Sequence, residues 1–238
     1  MLLKSSRWNC LGRGERPAAV STLLLLTLSV LLSSILASPV FAQRSQTVLI
    51  AAASDLSRLE PEFVRNMLQK FGIHVQFVSG SSGQLARQIS SGAPYDVFLS
   101  ANERYVRELV TGGHLLGDSA RVYARGRLGL WSKSGQVRAL GHLERPDVIH
   151  IAIANPAHAP YGLAARQLLE KMGLWAKLEK KIVFGENVRQ ALQFAESGNA
   201  DAVLTAWSLV FDRGGVLLPE EEHEPIWQAG GVVATSRL

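Results

Sequence analysis

Four short segments of this chain set small polar residues, glycine or proline between an apolar, strand-like run and a helical repeat. They are residues 51–56 (AAASDL), 79–89 (SGSSGQLARQI), 155–162 (NPAHAPYG) and 185–192 (GENVRQAL). The first turn of a helix leaves its N–H groups without intrahelical partners, and the aligned peptide dipoles make that end positive. Such a junction can hold an anion with uncharged donors. In the first segment Ser54 reads as an N-cap, and Asp55, in the first turn, reads as capping the helix too. In the second, Gly80 and Gly83 permit close backbone approach, while Ser81 and Ser82 add hydroxyls. In the third, Pro160 ends the turn, and Tyr161 takes an early helical position with a free N–H and a hydroxyl within reach of a ligand. In the fourth, Asn187 caps, and the Val188 N–H then points outward. Capping, or a loop with no ligand, explains each segment singly. Four of them at strand ends predict a protein that surrounds a small oxyanion with dipoles. Each hydrogen bond to an anion contributes about 1.5–3 kcal/mol net.

Other chemistries find less support. His158 is the one histidine in these loops, and no second His, Cys or paired carboxylate accompanies it there. It reads as a solvated turn residue rather than a base or metal ligand. Arg189 reads as solvated too. Ser54 lacks the flanking glycines of a G-x-S-x-G nucleophile elbow, and none of the six histidines makes a convincing partner base. The expectation is a non-enzyme that needs no cofactor.

The elements that must position these loops alternate. Residues 47–52 (TVLIAA), 74–78 (HVQFV) and 96–100 (DVFLS) read as strands. Helical repeats from Leu56 to Phe71, around Leu85 and Ile89, and over residues 104–110 separate or follow them. Residues 121–131 (RVYARGRLGLW) alternate over a longer run and read as a strand crossing between lobes. A second series follows, with strands at 148–154, 181–184 and 202–205, helices at 161–172 and 188–197, and a last strand within 224–234. The pattern predicts an α/β protein of two lobes, 43–120 and 121–238, the second including the crossing strands. Parallel sheets covered by helices would leave a ligand cleft between the lobes, outside the strands' carboxyl ends.

The ends of the chain carry their own signals. Lys4, Arg7, Arg13 and Arg16 precede an apolar run from Val20 to Leu36, and Val40-Phe41-Ala42 offers small residues before Gln43. This is the pattern of a secretory signal peptide over residues 1–42, cleaved after Ala42 into the periplasm. The single cysteine, Cys10, lies within it, so residues 43–238 hold no thiol. Residues 1–42 carry four Lys/Arg and one Glu, so without them the formal net charge falls from +5 to +2. No basic run remains to favour nucleic acid.

Taken together, AAASDL, SGSSGQLARQISSGAPYDVFLSA, IANPAHAPYGLAARQLLEKMG and ENVRQAL resemble the periplasmic molybdate-binding proteins that serve ABC transporters. The resemblance runs from about Thr47 to the end. It implies a type II periplasmic-binding-protein fold, closing on tetrahedral molybdate or tungstate. The family's contacts, carried over, fall on Ser54, Ser82, Tyr161 and Val188, with the Asp55 backbone N–H joining. Contact with the metal would be through molybdate oxygens only. The partners implied are the oxyanion and a permease in the inner membrane, served by a monomer. Some members use a tyrosine where this chain has Ala206, and Tyr161 is expected to supply that hydroxyl contact. Members also usually continue past the VVATS segment into helices that return to the first lobe, so uncovered apolar surface is expected there. The alternatives are a sulfate- or phosphate-type binder, or a shortened remnant without function.

Overall fold

The computed structural model describes residues 47–237. The signal peptide assigned to residues 1–42 and its cleavage point lie outside them. Among the described residues, no helix is long and apolar enough to cross a membrane.

The first part of the chain forms β1 (Thr47–Ala53), a 3-10 turn at Ser54–Leu56, α1 (Glu60–Phe71), β2 (His74–Gly80), α2 (Ser82–Ser90), β3 (Val97–Ser100), α3 (Glu103–Thr111) and β4 (Arg121–Gly126). The second part forms β5 (Leu128–Trp131), β6 (Ile151–Ala154), α4 (Pro160–Lys171), α5 (Trp175–Leu178), β7 (Ile182–Gly185), α6 (Val188–Ser197), β8 (Ala202–Ala206) and β9 (Val216–Leu217). The last strand is β10 (Ile226–Val232).

These strands make two five-stranded sheets, ordered β2-β1-β3-β10-β4 and β7-β6-β8-β5-β9. In the first, β1 runs parallel to β2 and β3, while β10 runs antiparallel to β3 and β4. In the second, β6 runs parallel to β7 and β8, while β5 runs antiparallel to β8 and β9. Both sheets are therefore mixed rather than parallel throughout. The segment read as one crossing strand is two strands with Arg127 between them, each serving a different sheet.

Burial follows the two periodicities of the sequence. In β1, Ile50 and Ala52 pack with Val75 on one face, and Ala51 packs with Leu85, Ile89 and Phe98 on the other. That is the period of two expected when both faces of a sheet are covered. In β6 every residue is buried, and Ile151 and Ile153 join Leu168, Leu169, Leu192 and Leu204 in the larger core. Helix α1 ends at Gly72, whose positive φ of 67° suits the left-handed cap. No residue of α1 is buried, and Phe63, Leu68 and Phe71 are exposed.

Candidate functional site

The parallel strands of both sheets end at one cavity. It is lined by Ala53, Ser54 and Asp55 after β1, by Gly80, Ser81 and Ser82 after β2, and by Ala101 after β3. From the second sheet come Ala159, Pro160 and Tyr161 after β6, and Asn187 and Val188 after β7. The register aligns these tips, with Ala53 opposite Gly80 and Ala154 opposite Gly185. Crevices beyond the carboxyl ends of strands are where α/β proteins hold ligands. The cavity is small, about 10 Å³. Larger hollows near Tyr95 and near Lys171 are open to the surface and lie away from the strand tips.

All five residues expected to touch a ligand line this cavity, and all are buried. Ser82 opens α2, Tyr161 lies in the first turn of α4, and Val188 opens α6. Their N–H groups belong to first turns, which have no carbonyl four residues back within the helix. Asn187 caps α6 as expected, its Oδ1 accepting from the Arg189 and Gln190 N–H groups, each at 3.0 Å. The Ser82 hydroxyl oxygen accepts from the Ala101 N–H at 2.9 Å. Its proton must then point elsewhere, which leaves the hydroxyl able to donate. Gly162 is obligatory here, because a Cβ at that position would lie 2.0 Å from the Ala154 carbonyl oxygen. Only glycine lets α4 start this close to the end of β6. Ala206, at the end of β8, is buried opposite Leu128 and does not line the cavity.

Among the described residues, no lysine or arginine lines the cavity, and Asp55 supplies the only carboxyl group. The donors are hydroxyls and helix-start N–H groups, so an anion here would be solvated by dipoles. Among the described residues, no group of three or more His, Cys, Asp or Glu side chains could hold a metal ion.

Three expectations need correction. Ser54 is not a helix cap: it opens a 3-10 turn whose N-cap is Ala53, and no side chain caps that turn. Asp55 does not cap either. Its Oδ2 accepts from Tyr161 Oη at 3.2 Å and from Gln228 Nε2, and Gln228 Nε2 also lies 3.0 Å from Tyr161 Oη. The Tyr161 hydroxyl is thus engaged with Asp55 and Gln228 in this conformation. Burial raises the Asp55 carboxyl to about 6, against the lowering effect of its bonds to Gln228 and Tyr161. Its Oδ1 is buried without a hydrogen-bond partner. Burial and the Asp55 charge hold the Tyr161 phenol well above its usual range.

The third correction concerns His158, which is 8% exposed rather than solvated. Its Nδ1 lies 2.8 Å from Ser81 Oγ, and its carbonyl accepts from the Gly83 N–H at 2.9 Å. Its Nε2 lies 3.6 Å from Glu186 Oε2. Desolvation lowers its pKa, Glu186 opposes that, and Arg87 adds to it. Ser81 and Gly83 belong to the first lobe and His158 to the second, so these bonds join the two across the cleft. Arg58 with Asp212, and Ser208 Oγ with the Asp55 carbonyl (2.9 Å), do the same. The cleft is therefore closed. Gln228 was not singled out from the sequence. Its signal was strand parity, since Ile226 and Gln228 are buried and Trp227 between them is exposed.

Comparison with known proteins agrees with this geometry. Residues 48–237 match the family model described as bacterial extracellular solute-binding protein. The chain is 35% identical over 192 residues to the molybdate-binding protein ModA of Rhodobacter capsulatus, covering 79% of this chain and 76% of that one. It is 34% identical over 195 residues to ModA of Azotobacter vinelandii, covering 79% and 77%. The solved structure of the Azotobacter vinelandii periplasmic molybdate-binding protein superposes with a TM-score of 0.75 at 34% identity, covering 80% of this chain and 87% of that one. The architecture is the two-lobed α/β fold of periplasmic binding proteins. With two sheets whose strand tips converge on one closed cleft, and a family match that spans nearly every described residue, the chain belongs to the bacterial extracellular solute-binding proteins.

Proposed function

We propose that this chain is a periplasmic binding protein that captures molybdate, or tungstate, and presents its closed form to an ABC-type permease in the inner membrane. The observation that carries the reading is the cavity at the strand tips, with donors from both lobes and no cationic side chain. Two relatives that match over about three quarters of their length bear molybdate-binding names, which supports the choice of anion. Ser54 and Ser82 would contribute hydroxyl and N–H donors, and Asp55, Tyr161 and Val188 their N–H groups. The metal would be touched only through its oxygens, and the binding chemistry uses no cofactor.

Open lobes would admit the dianion, and closure would surround it with loops from both sheets. A ligand shifts such an equilibrium only by binding the closed form better than the open one. The contacts across the cleft, Ser81 with His158 and Asp55 with Tyr161, belong to that closed form. Calorimetric titration of residues 43–238 with molybdate, sulfate and phosphate tests the reading. Molybdate should bind most tightly, and a preference for sulfate would overturn the assignment.

One observation favours a second reading. Phosphate keeps a proton near neutral pH, and that proton needs an acceptor. The unpartnered Asp55 Oδ1, on a residue that lines the cavity, can supply one. In the same titration, phosphate stronger than molybdate would establish it.

A further inference from the structure

The cavity combines an array of uncharged donors with one buried carboxyl group, and a fully deprotonated dianion has nothing to offer that carboxyl. Asp55 comes from the first lobe and Tyr161 from the second, with Gln228 of β10 beside both. Both donors reach Oδ2, and Oδ1 is left buried and unpartnered. An ionised carboxylate closed into the same dry space as a doubly negative ligand is repelled by it, with no cation in the lining to offset the repulsion. Like charges sharing a site are relieved when one of them takes a proton.

We propose that Asp55 makes oxyanion capture proton-coupled: the cleft closes on the dianion with one proton held between the Asp55 carboxyl and an anion oxygen, drawn from solution as the ligand binds. The inference rests on the oxyanion-binding reading above and adds a stoichiometry to it. Molybdate, tungstate and sulfate carry no proton near neutral pH, so each takes one up. Hydrogen phosphate arrives with its own.

The other titratable groups facing Asp55 do not act between pH 7 and 8.5. Tyr161, bonded to Oδ2, and Tyr123, whose hydroxyl donates to the Ser100 carbonyl at 3.3 Å, are both held above the usual phenol range. His158, bonded to Ser81 at the cavity's edge, is held below the usual histidine range by burial, so it is already neutral there. The Asp55 carboxyl of the closed cleft is ionised over the same interval, having been raised only to about 6.

The experiment is calorimetry of residues 43–238 with sodium molybdate at pH 7.5, in buffers of different ionisation enthalpy, and then affinity from pH 7 to 8.5. The expected uptake is about one proton per molybdate, with Kd rising roughly tenfold per pH unit, the slope of a one-proton linkage. Asp55→Asn should bind with no uptake and a Kd flat in pH. Binding by the natural chain with less than half a proton taken up overturns the inference and leaves the oxyanion assignment standing, as does a variant that keeps the full slope. Absence of binding heat with molybdate, sulfate and phosphate alike overturns both. The measurement on the natural chain decides even where the variant does not fold.

Discussion

His158 Nδ1 lies 2.8 Å from Ser81 Oγ, and the bond joins the loop after β6 to the cap of α2 in the opposite lobe. Only the closed molecule makes this contact. His158→Ala removes it and leaves a buried hydroxyl without its partner, at a cost of about 1 kcal/mol. Molybdate affinity should fall about fivefold by calorimetry. As pH falls below 7, the affinity gained through proton uptake at Asp55 should level off in the natural chain, because protonating His158 works against the burial that closure imposes.

Gly83 tests closure sterically. A Cβ there would lie 2.8 Å from the His158 carbonyl oxygen and 2.8 Å from Tyr105 Oη. The tyrosine hydroxyl ends a side chain that can turn aside, but the His158 backbone cannot. Gly83→Ala should therefore fold and fail to close. Small-angle scattering should show a ligand-induced contraction for the natural chain and none for the variant, with affinity down by more than tenfold.

Asp55 makes stability depend on pH in an unusual direction. Its carboxyl titrates near 3.8 when exposed and at about 6 when buried. Stability from this group is therefore fully present below about pH 3.8 and is lost as pH rises through about 6. The loss is about 3 kcal/mol at most by pH 7. Asp55→Asn keeps an oxygen to accept from Tyr161 and Gln228. Its unfolding free energy in urea should exceed that of the natural chain at pH 7.5, and the gap should close towards pH 4.

Tyr161→Phe removes one donor to Asp55 and the hydroxyl beside Gln228 Nε2. One buried hydrogen-bonding group left short costs about 1–2 kcal/mol. Thermal unfolding should move to lower temperature, and oxyanion affinity should fall severalfold. Unchanged affinity would show that the hydroxyl takes no part in capture, directly or through Asp55.

Much of the site could be read from local sequence because strand-to-helix junctions are local. Ser82, Tyr161 and Val188 lie at helix starts that the periodicity already marks, and Asn187 caps as its type suggests. The roles of Ser54 and Asp55 are not legible locally, because Ser-Asp after a strand carries the same residue types whether it caps a helix or enters a buried cluster. What decides is a tyrosine 106 positions away and a glutamine 173 positions away. The burial of His158 is hidden from local sequence for a similar reason. A turn histidine is solvated on an isolated lobe and buried only when a second lobe closes over it. That depends on how the sheets meet, and no window of local sequence holds it.

The placement of β10 sets an order on folding. It pairs with both β3 and β4, which do not pair with each other, so the first sheet stays split until β10 itself has been made. The second sheet draws all its strands from residues 128–217 and needs nothing from the tail. The half that emerges first is therefore the half completed last, and for that interval β3 and β4 present unpaired edges that only the final strand can cover.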